Sequence, residues 1–143
     1  MKIKQVSVFL ENKPGHLSRV CRRLADANIN LVTQSLADTD QFGILRLIVK
    51  EWEKAKELME QDGRVVKLVD VLAAEVEDRP GGLADVLTVL EKAGINVEYM
   101  YAFVRKLQNS AVLIFRFNNP DEAMKVMQEN GIRLLTSDEL FEN

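Results

Sequence analysis

Apolar and polar positions alternate at the start of the chain, where Val6, Val8 and Leu10 are interleaved with Gln5, Ser7 and Phe9. That period of two predicts a strand with one buried face. The period then changes. Leu17, Val20, Cys21, Leu24 and Ala27 come in steps of three and four, which puts five apolar side chains on one helical face. The same sentence is written again 66 positions later. Leu72, Ala74 and Val76 alternate with Ala73, Glu75 and Glu77, and Leu83, Val86, Leu87, Leu90 and Ala93 repeat the helical stripe. Between strand and helix both copies carry Pro-Gly, as Pro14-Gly15 and Pro80-Gly81. Proline is expected in the first helical turn, where its missing N–H costs nothing. Asn28 and Gly94 are expected to end the helices in the left-handed conformation.

A second strand is predicted from Ile29 and from Ile95, and a third over Ile44–Val49 and Val112–Phe117. From there the offset between copies becomes 68, so that Ala55 matches Ala123 and Gly63 matches Gly131. The extra length is expected around Arg105 to Ser110. A second helix takes Trp52, Ala55 and Met59 in the first copy and Ala123, Val126 and Met127 in the second. A fourth strand closes each copy, Val65–Val69 and Ile132–Leu135. The order β-α-β-β-α-β, written twice, predicts an α+β protein of two tandem ferredoxin-like units, residues 1–70 and 71–143. No Gly or Pro separates Val65 from Asp78, so the last strand of one copy is expected to run into the first strand of the next. The two antiparallel sheets are then expected to pack side by side.

Composition narrows the function classes. The chain has 143 residues and a net charge of −3, with 47% hydrophobic and 29% charged residues. A weakly acidic chain has no general attraction for nucleic acid or an anionic membrane. RNA-recognition domains share the β-α-β-β-α-β order, but they need outward aromatics in a basic surround. Phe115 and Phe117 lie on the third strand without that signature. No apolar run reaches the length of a membrane span, and no signal-peptide core opens the chain. A single cysteine forms no internal disulfide and fits a cytoplasmic location. One His and one Cys leave no ordinary metal cluster and no Cys–His pair. No cofactor motif is present, so the chain is not expected to be an enzyme and no metal or cofactor is expected. Cys21 is expected in the core, and Trp52 against the sheet.

Pro-Gly is first of all a turn signal. It also opens a helix, whose first N–H groups have no internal partner and, with the helix dipole, accept a carboxylate. Gly15 and Gly81 leave the backbone open to a ligand. Asn30 and Asn96, expected at the start of the second strands, offer both a carbonyl oxygen and an amide NH₂. A helix N-terminus beside such an amide is a receptor for a zwitterion.

These residues resemble a known family. Asn12-Lys13-Pro14-Gly15-His16-Leu17 after a strand, and Ile29-Asn30 after the helix, are similar to the ACT domain. Asp78-Arg79-Pro80-Gly81-Gly82-Leu83 and Ile95-Asn96 repeat the pattern. The layout is similar to small stand-alone tandem-ACT proteins of bacteria. The resemblance implies a free amino acid as ligand, bound near the first loop and second strand where two ACT units meet. It implies Asn12, Pro14, Gly15, His16, Leu17 and Asn30 in one copy as contacts. In the other it implies Asp78, Pro80, Gly81, Gly82, Leu83 and Asn96. A homodimer is expected, because exposed sheet edges need cover, and a regulated metabolic enzyme is a possible partner. The alternative is a dedicated regulatory subunit, such as that of acetolactate synthase. Serine-binding members carry a His two positions before the first Asn. Leu10 and Val76 stand there, which argues against serine. Asp78 in place of Asn12 would repel a carboxylate, so the first copy is expected to be the better receptor.

Overall fold

The computed structural model describes residues 1–39, 41–104 and 108–142. The elements run β1 (Ile3–Glu11), α1 (His16–Asp26), β2 (Thr33–Asp38), β3 (Phe42–Ile48), α2 (Trp52–Gln61), β4 (Val65–Glu77), α3 (Gly82–Lys92), β5 (Val97–Ala102), β6 (Ser110–Phe117), α4 (Pro120–Glu129), β7 (Leu134–Leu135) and α5 (Ser137–Phe141). They form two compact units, one of Lys4–Val69 and one of Met1–Ile3 with Asp70–Asn143. The boundary falls inside β4, which is a single strand of 13 residues. The part of the expected insertion at residues 105–107 lies outside the described residues.

In the first unit β2, β3, β1 and β4 lie in that order. β3 is antiparallel to both β1 and β2, with Leu10 opposite Gly43 and Gly43 opposite Asp38. Its core gathers Val6, Val8 and Leu10 with Val20, Leu24, Leu47, Ala55 and Met59. In the second unit β4 lies between β6 and the short β7, and β5 flanks β6. Its core repeats the first by position, with Leu72, Ala74, Val76, Val86, Leu90, Phe115, Ala123 and Met127. Ala74 stands where the first unit has Val8, and Phe115 where it has Leu47. Small and large exchange places, which conserves core volume.

All four long helices end alike. The N–H of Ile29 donates to the Leu24 carbonyl and that of Asn28 to Ala25, both at 2.9 Å. Ile95 and Gly94 donate to Leu90 and Glu91 in the same way. This is the Schellman pattern, with the left-handed residue that it needs: Asn28 at φ 60° and Gly94 at φ 71°. Gly63 and Gly131 serve α2 and α4 likewise.

Several expectations change. β2 starts at Thr33, not Ile29, and β5 at Val97, not Ile95, because Ile29 and Ile95 close the Schellman turns of the preceding helices. β7 is only Leu134–Leu135. The chain then turns into α5, capped by Thr136 and Glu139 in a reciprocal capping box that seats Leu140 in the interior. Cys21 is only half-buried and Leu17 is 37% exposed, so the stripe on α1 is narrower than its spacing suggested. Trp52 is partly buried against the first core, as expected. Phe115 and Phe117 are stacked at 5.7 Å and wholly buried, so neither can stack on a nucleobase.

The second Pro-Gly turn has a residue that sterics dictate. A Cβ on Gly82 would lie 2.0 Å from the Glu77 carbonyl oxygen. His16 occupies the matched position of the first unit. Gly82→Ala is therefore expected to cost about 1–3 kcal/mol in urea unfolding, and His16→Ala less than about 0.5 kcal/mol. Equal stabilities for the two variants would refute the steric reading.

Candidate functional site

Each Pro-Gly pair forms one turn of defined type. The N–H of His16 donates to the Lys13 carbonyl at 3.3 Å, and Gly15 sits at φ 90°, ψ −20°. The N–H of Gly82 donates to Arg79 at 3.0 Å, and Gly81 sits at φ 86°, ψ −9°. Proline followed by a left-handed glycine is a type II turn, which glycine alone enters without strain. Pro14 and Pro80 thus precede the helices rather than open them, and the glycines are the N-caps. Further bonds repeat. Asn12 N–H donates to Gln41 and Asp78 N–H to Asn109, while Arg19 and Asp85 close the first helical bonds onto Gly15 and Gly81. The turn occupies the His16 N–H. The N–H groups of Leu17 and Ser18, and of Leu83 and Ala84, are left ahead of the first helical bond.

The two loops differ in charge. In the first, no acidic residue lies in the opening turn of α1. The guanidinium of Arg19 lies beside Gly15, where a Cβ would meet it at 3.5 Å. Ser18 donates its hydroxyl to the Gly15 carbonyl at 3.1 Å, and Lys13 pairs with Glu11 at 3.0 Å. In the second loop Asp85 occupies the position of Arg19. Arg79 is clamped between Glu77 and Asp85, the latter at 2.6 Å, and also donates to the Pro80 carbonyl. A carboxylate arriving at the first loop meets a cation unpaired among the described residues; at the second it meets Asp85 and an arginine already neutralised.

A cavity of about 390 Å³ adjoins the second loop. Glu75, Glu77, Arg79, Gly82, Asp85 and Arg133 are among its lining. Arg133 pairs with Glu75 at 2.9 Å and also with Glu139. Sequence reasoning missed Arg19, Arg79, Glu75 and Arg133. The exchange of Arg19 for Asp85 at matched positions was the available signal.

The predicted contacts do not all converge. Asn12, Pro14, Gly15 and Leu17 are exposed, His16 is half-buried, and all five form the first loop. Asp78, Pro80 and Gly81 are exposed, Leu83 is half-buried and Gly82 is buried. Asn30 and Asn96 are exposed but lie elsewhere. α1 has 11 residues, so about 16 Å of helix at ~1.5 Å per residue separates the loop from the chain after its C-terminus. Register agrees. The loop comes after Glu11, opposite Phe42, whereas Asn30 precedes Thr33, opposite Ile48 at the far end of β3. In the second unit Glu77 is opposite Ser110 and Val97 opposite Phe117. The expected meeting of helix N-terminus and asparagine within one unit does not occur, because the asparagine lies past the other end of the helix.

Residues 1–143 match, over the whole chain, the family described as ACT domain pair. The protein belongs to the ACT domain pair family. Protein BT0572 from Bacteroides thetaiotaomicron, a solved structure, is 38% identical with a TM-score of 0.92, covering 100% of this chain and 98% of that one. The ligand-free regulatory subunit of aspartate kinase from Thermus thermophilus shares this ACT fold at 16% identity and a TM-score of 0.64, covering 97% and 93% of the two chains. A curated relative is the acetolactate synthase small subunit of Buchnera aphidicola subsp. Baizongia pistaciae (strain Bp), 29% identical over 111 residues. The match covers 76% of the ACT pair and 65% of that subunit's length.

The ion pairs beside the second ACT loop give a pH dependence. The Arg133 guanidinium, donating to Glu75, holds that carboxyl below its ordinary value of 4.5, with a smaller contribution from Ser110. A carboxylate whose folded value is lowered stabilises fully above the unfolded value and loses that contribution as pH falls through the folded one. Thermal stability is expected to be level above about pH 5 and to fall from about pH 4.5 downward. Arg133→Gln should flatten part of that fall. An identical profile for this variant would remove the pair as its source.

Proposed function

We propose that this protein is an amino-acid-binding regulator with no chemistry of its own. The observation that carries the reading is the first Pro-Gly turn. Its left-handed Gly15 leaves the backbone uncovered ahead of the Leu17 and Ser18 N–H groups, with Arg19 beside it and no carboxylate in the opening helical turn. That set suits a ligand carboxylate through backbone donors and a charge-assisted bond. Asn12, Pro14, Gly15, His16 and Leu17 form this half. The ammonium half is an asparagine oxygen. Asn30 and Asn96 stand at the far ends of their own units, so the asparagine comes from a different unit, on this reading one of a second copy of the chain. A homodimer follows from this division. The edge strands β2 and β5, each flanked on one side within its unit, favour it further. The second loop, with Asp78, Pro80, Gly81, Gly82 and Leu83, is the weaker receptor because Asp85 replaces the unpaired arginine.

A second reading is favoured by the similarity to an acetolactate synthase small subunit. On it, the protein regulates a dedicated metabolic enzyme in the cytoplasm. The two readings share the ligand and differ in the partner. Adding the purified protein to an acetolactate synthase catalytic subunit, with and without each of the twenty amino acids, separates them by the change in activity.

A thermal-shift panel of the twenty amino acids tests the sensor reading. One or a few are expected to stabilise the protein, by about 2.7 kcal/mol at 100 times the dissociation constant. Arg19→Glu should weaken that ligand at least about tenfold, and Asn30→Ala should weaken it while leaving the apo protein stable. No shift with any amino acid would reject the reading.

A further inference from the structure

The duplication supplies an internal control for the outer face of α1. Arg19, Arg22 and Arg23 project from that helix, and Arg64 comes just after the cap of α2. Together they line an open cavity of about 980 Å³ in the first unit, with Asp26 and Asp62 at the same wall. The matched positions of the second unit hold Asp85, Thr88, Val89 and Ile132. The same helix and the same cap form there without an arginine, so neither folding nor packing accounts for four of them.

Their charges are mostly uncompensated. Arg23 is held by Asp62, its Nε donating to both carboxylate oxygens at 3.3 and 3.1 Å. Arg19, Arg22 and Arg64 have no side-chain hydrogen bond or ion pair among the described residues. The Nε of Arg64 is buried and has no acceptor among the described residues. A buried donor without a partner is uncommon and unfavourable, and an acceptor from outside the chain would satisfy it.

We propose that this groove binds a small phosphate-bearing molecule of about mononucleotide size. Guanidinium forks match phosphate oxygens in pairs, and the cavity lies in the range of small-molecule sites. Arg22 and Arg64 hold the phosphates, and Arg19 stands at the rim toward the Pro-Gly loop. Asp26 accepts hydrogen bonds from sugar hydroxyls, which favours a nucleotide over an inorganic chain of phosphates. This site shares Arg19 with the amino-acid reading but does not rest on it, since Arg22 and Arg64 hold the phosphates.

Calorimetric titration of the full-length protein with ATP, pyrophosphate and adenosine, free of amino acids, tests the inference. ATP and pyrophosphate are expected to bind and adenosine not to. Arg22→Gln and Arg64→Gln should each weaken binding at least tenfold, while Arg133→Gln in the other unit leaves it unchanged. Circular dichroism checks the fold, and the surface variant Arg22→Gln suffices should Arg64→Gln unfold. Absence of heat with both phosphate compounds would overturn the proposal. Binding unaltered by Arg22→Gln, or equally weakened by Arg133→Gln, would overturn it too.

Discussion

The left-handed glycine in each Pro-Gly turn is the constraint on which the units depend. A strand pointing one way must give way to a helix running back across it within four residues. Proline fixes the first central residue of the turn, and glycine alone enters the second without strain. The turn then hands Gly15 and Gly81 to the helices as caps that offer no side chain. The N–H groups of Leu17 and Ser18, and of Leu83 and Ala84, consequently have no acceptor among the described residues. In α5 the opposite choice was made, and Thr136 with Glu139 closes the same kind of donors from within. An uncapped helix start is therefore not forced by the fold. It occurs at the same place in both units, where a ligand can reach it.

Within that common frame the two copies differ most at their loops and outer helix faces in charge. The cores correspond by position, and the four Schellman caps use the same two bonds. Asp85 takes the position of Arg19, and Ile132, packed against the second core, takes that of Arg64. Arginine gives the first helix a positive outer surface although the chain as a whole carries a charge of −3. In the second unit carboxylates already occupy Arg79 and Arg133.

Most of the fold was legible because each element is marked by two signals at once. Periodicity located α1 and α3, while Asn28 and Gly94 located their ends. Where one signal stood alone the reading drifted. Ile29 and Ile95 looked like strand starts, yet each closes a Schellman turn by an N–H bond to a leucine in the last helical turn. Thr136 and Glu139 form a capping box beyond Leu135, a signal that carries no apolar periodicity of its own. The site was less legible for a different reason. Asn30 is only a few residues from its helix in sequence, but a helix has two ends, and linear proximity does not say which one a residue meets. Charge compensation is equally silent in sequence. That Arg79 is spent on Glu77 and Asp85 while Arg19 is not depends on side-chain geometry.

The distance between loop and asparagine changes what ligand binding could accomplish. Had both halves met in one unit, a bound amino acid would stabilise that unit and leave its neighbours indifferent. With the halves at opposite ends, a ligand that uses both must touch two modules at once. Such a ligand binds the associated form more tightly than the separate one, and linkage requires that it strengthen the association by the same factor. A small binding energy at a surface loop then becomes a change in assembly, which a partner protein can read. The same reasoning explains why a regulator of this kind needs no moving lid. On the proposed reading its switch is the interface itself.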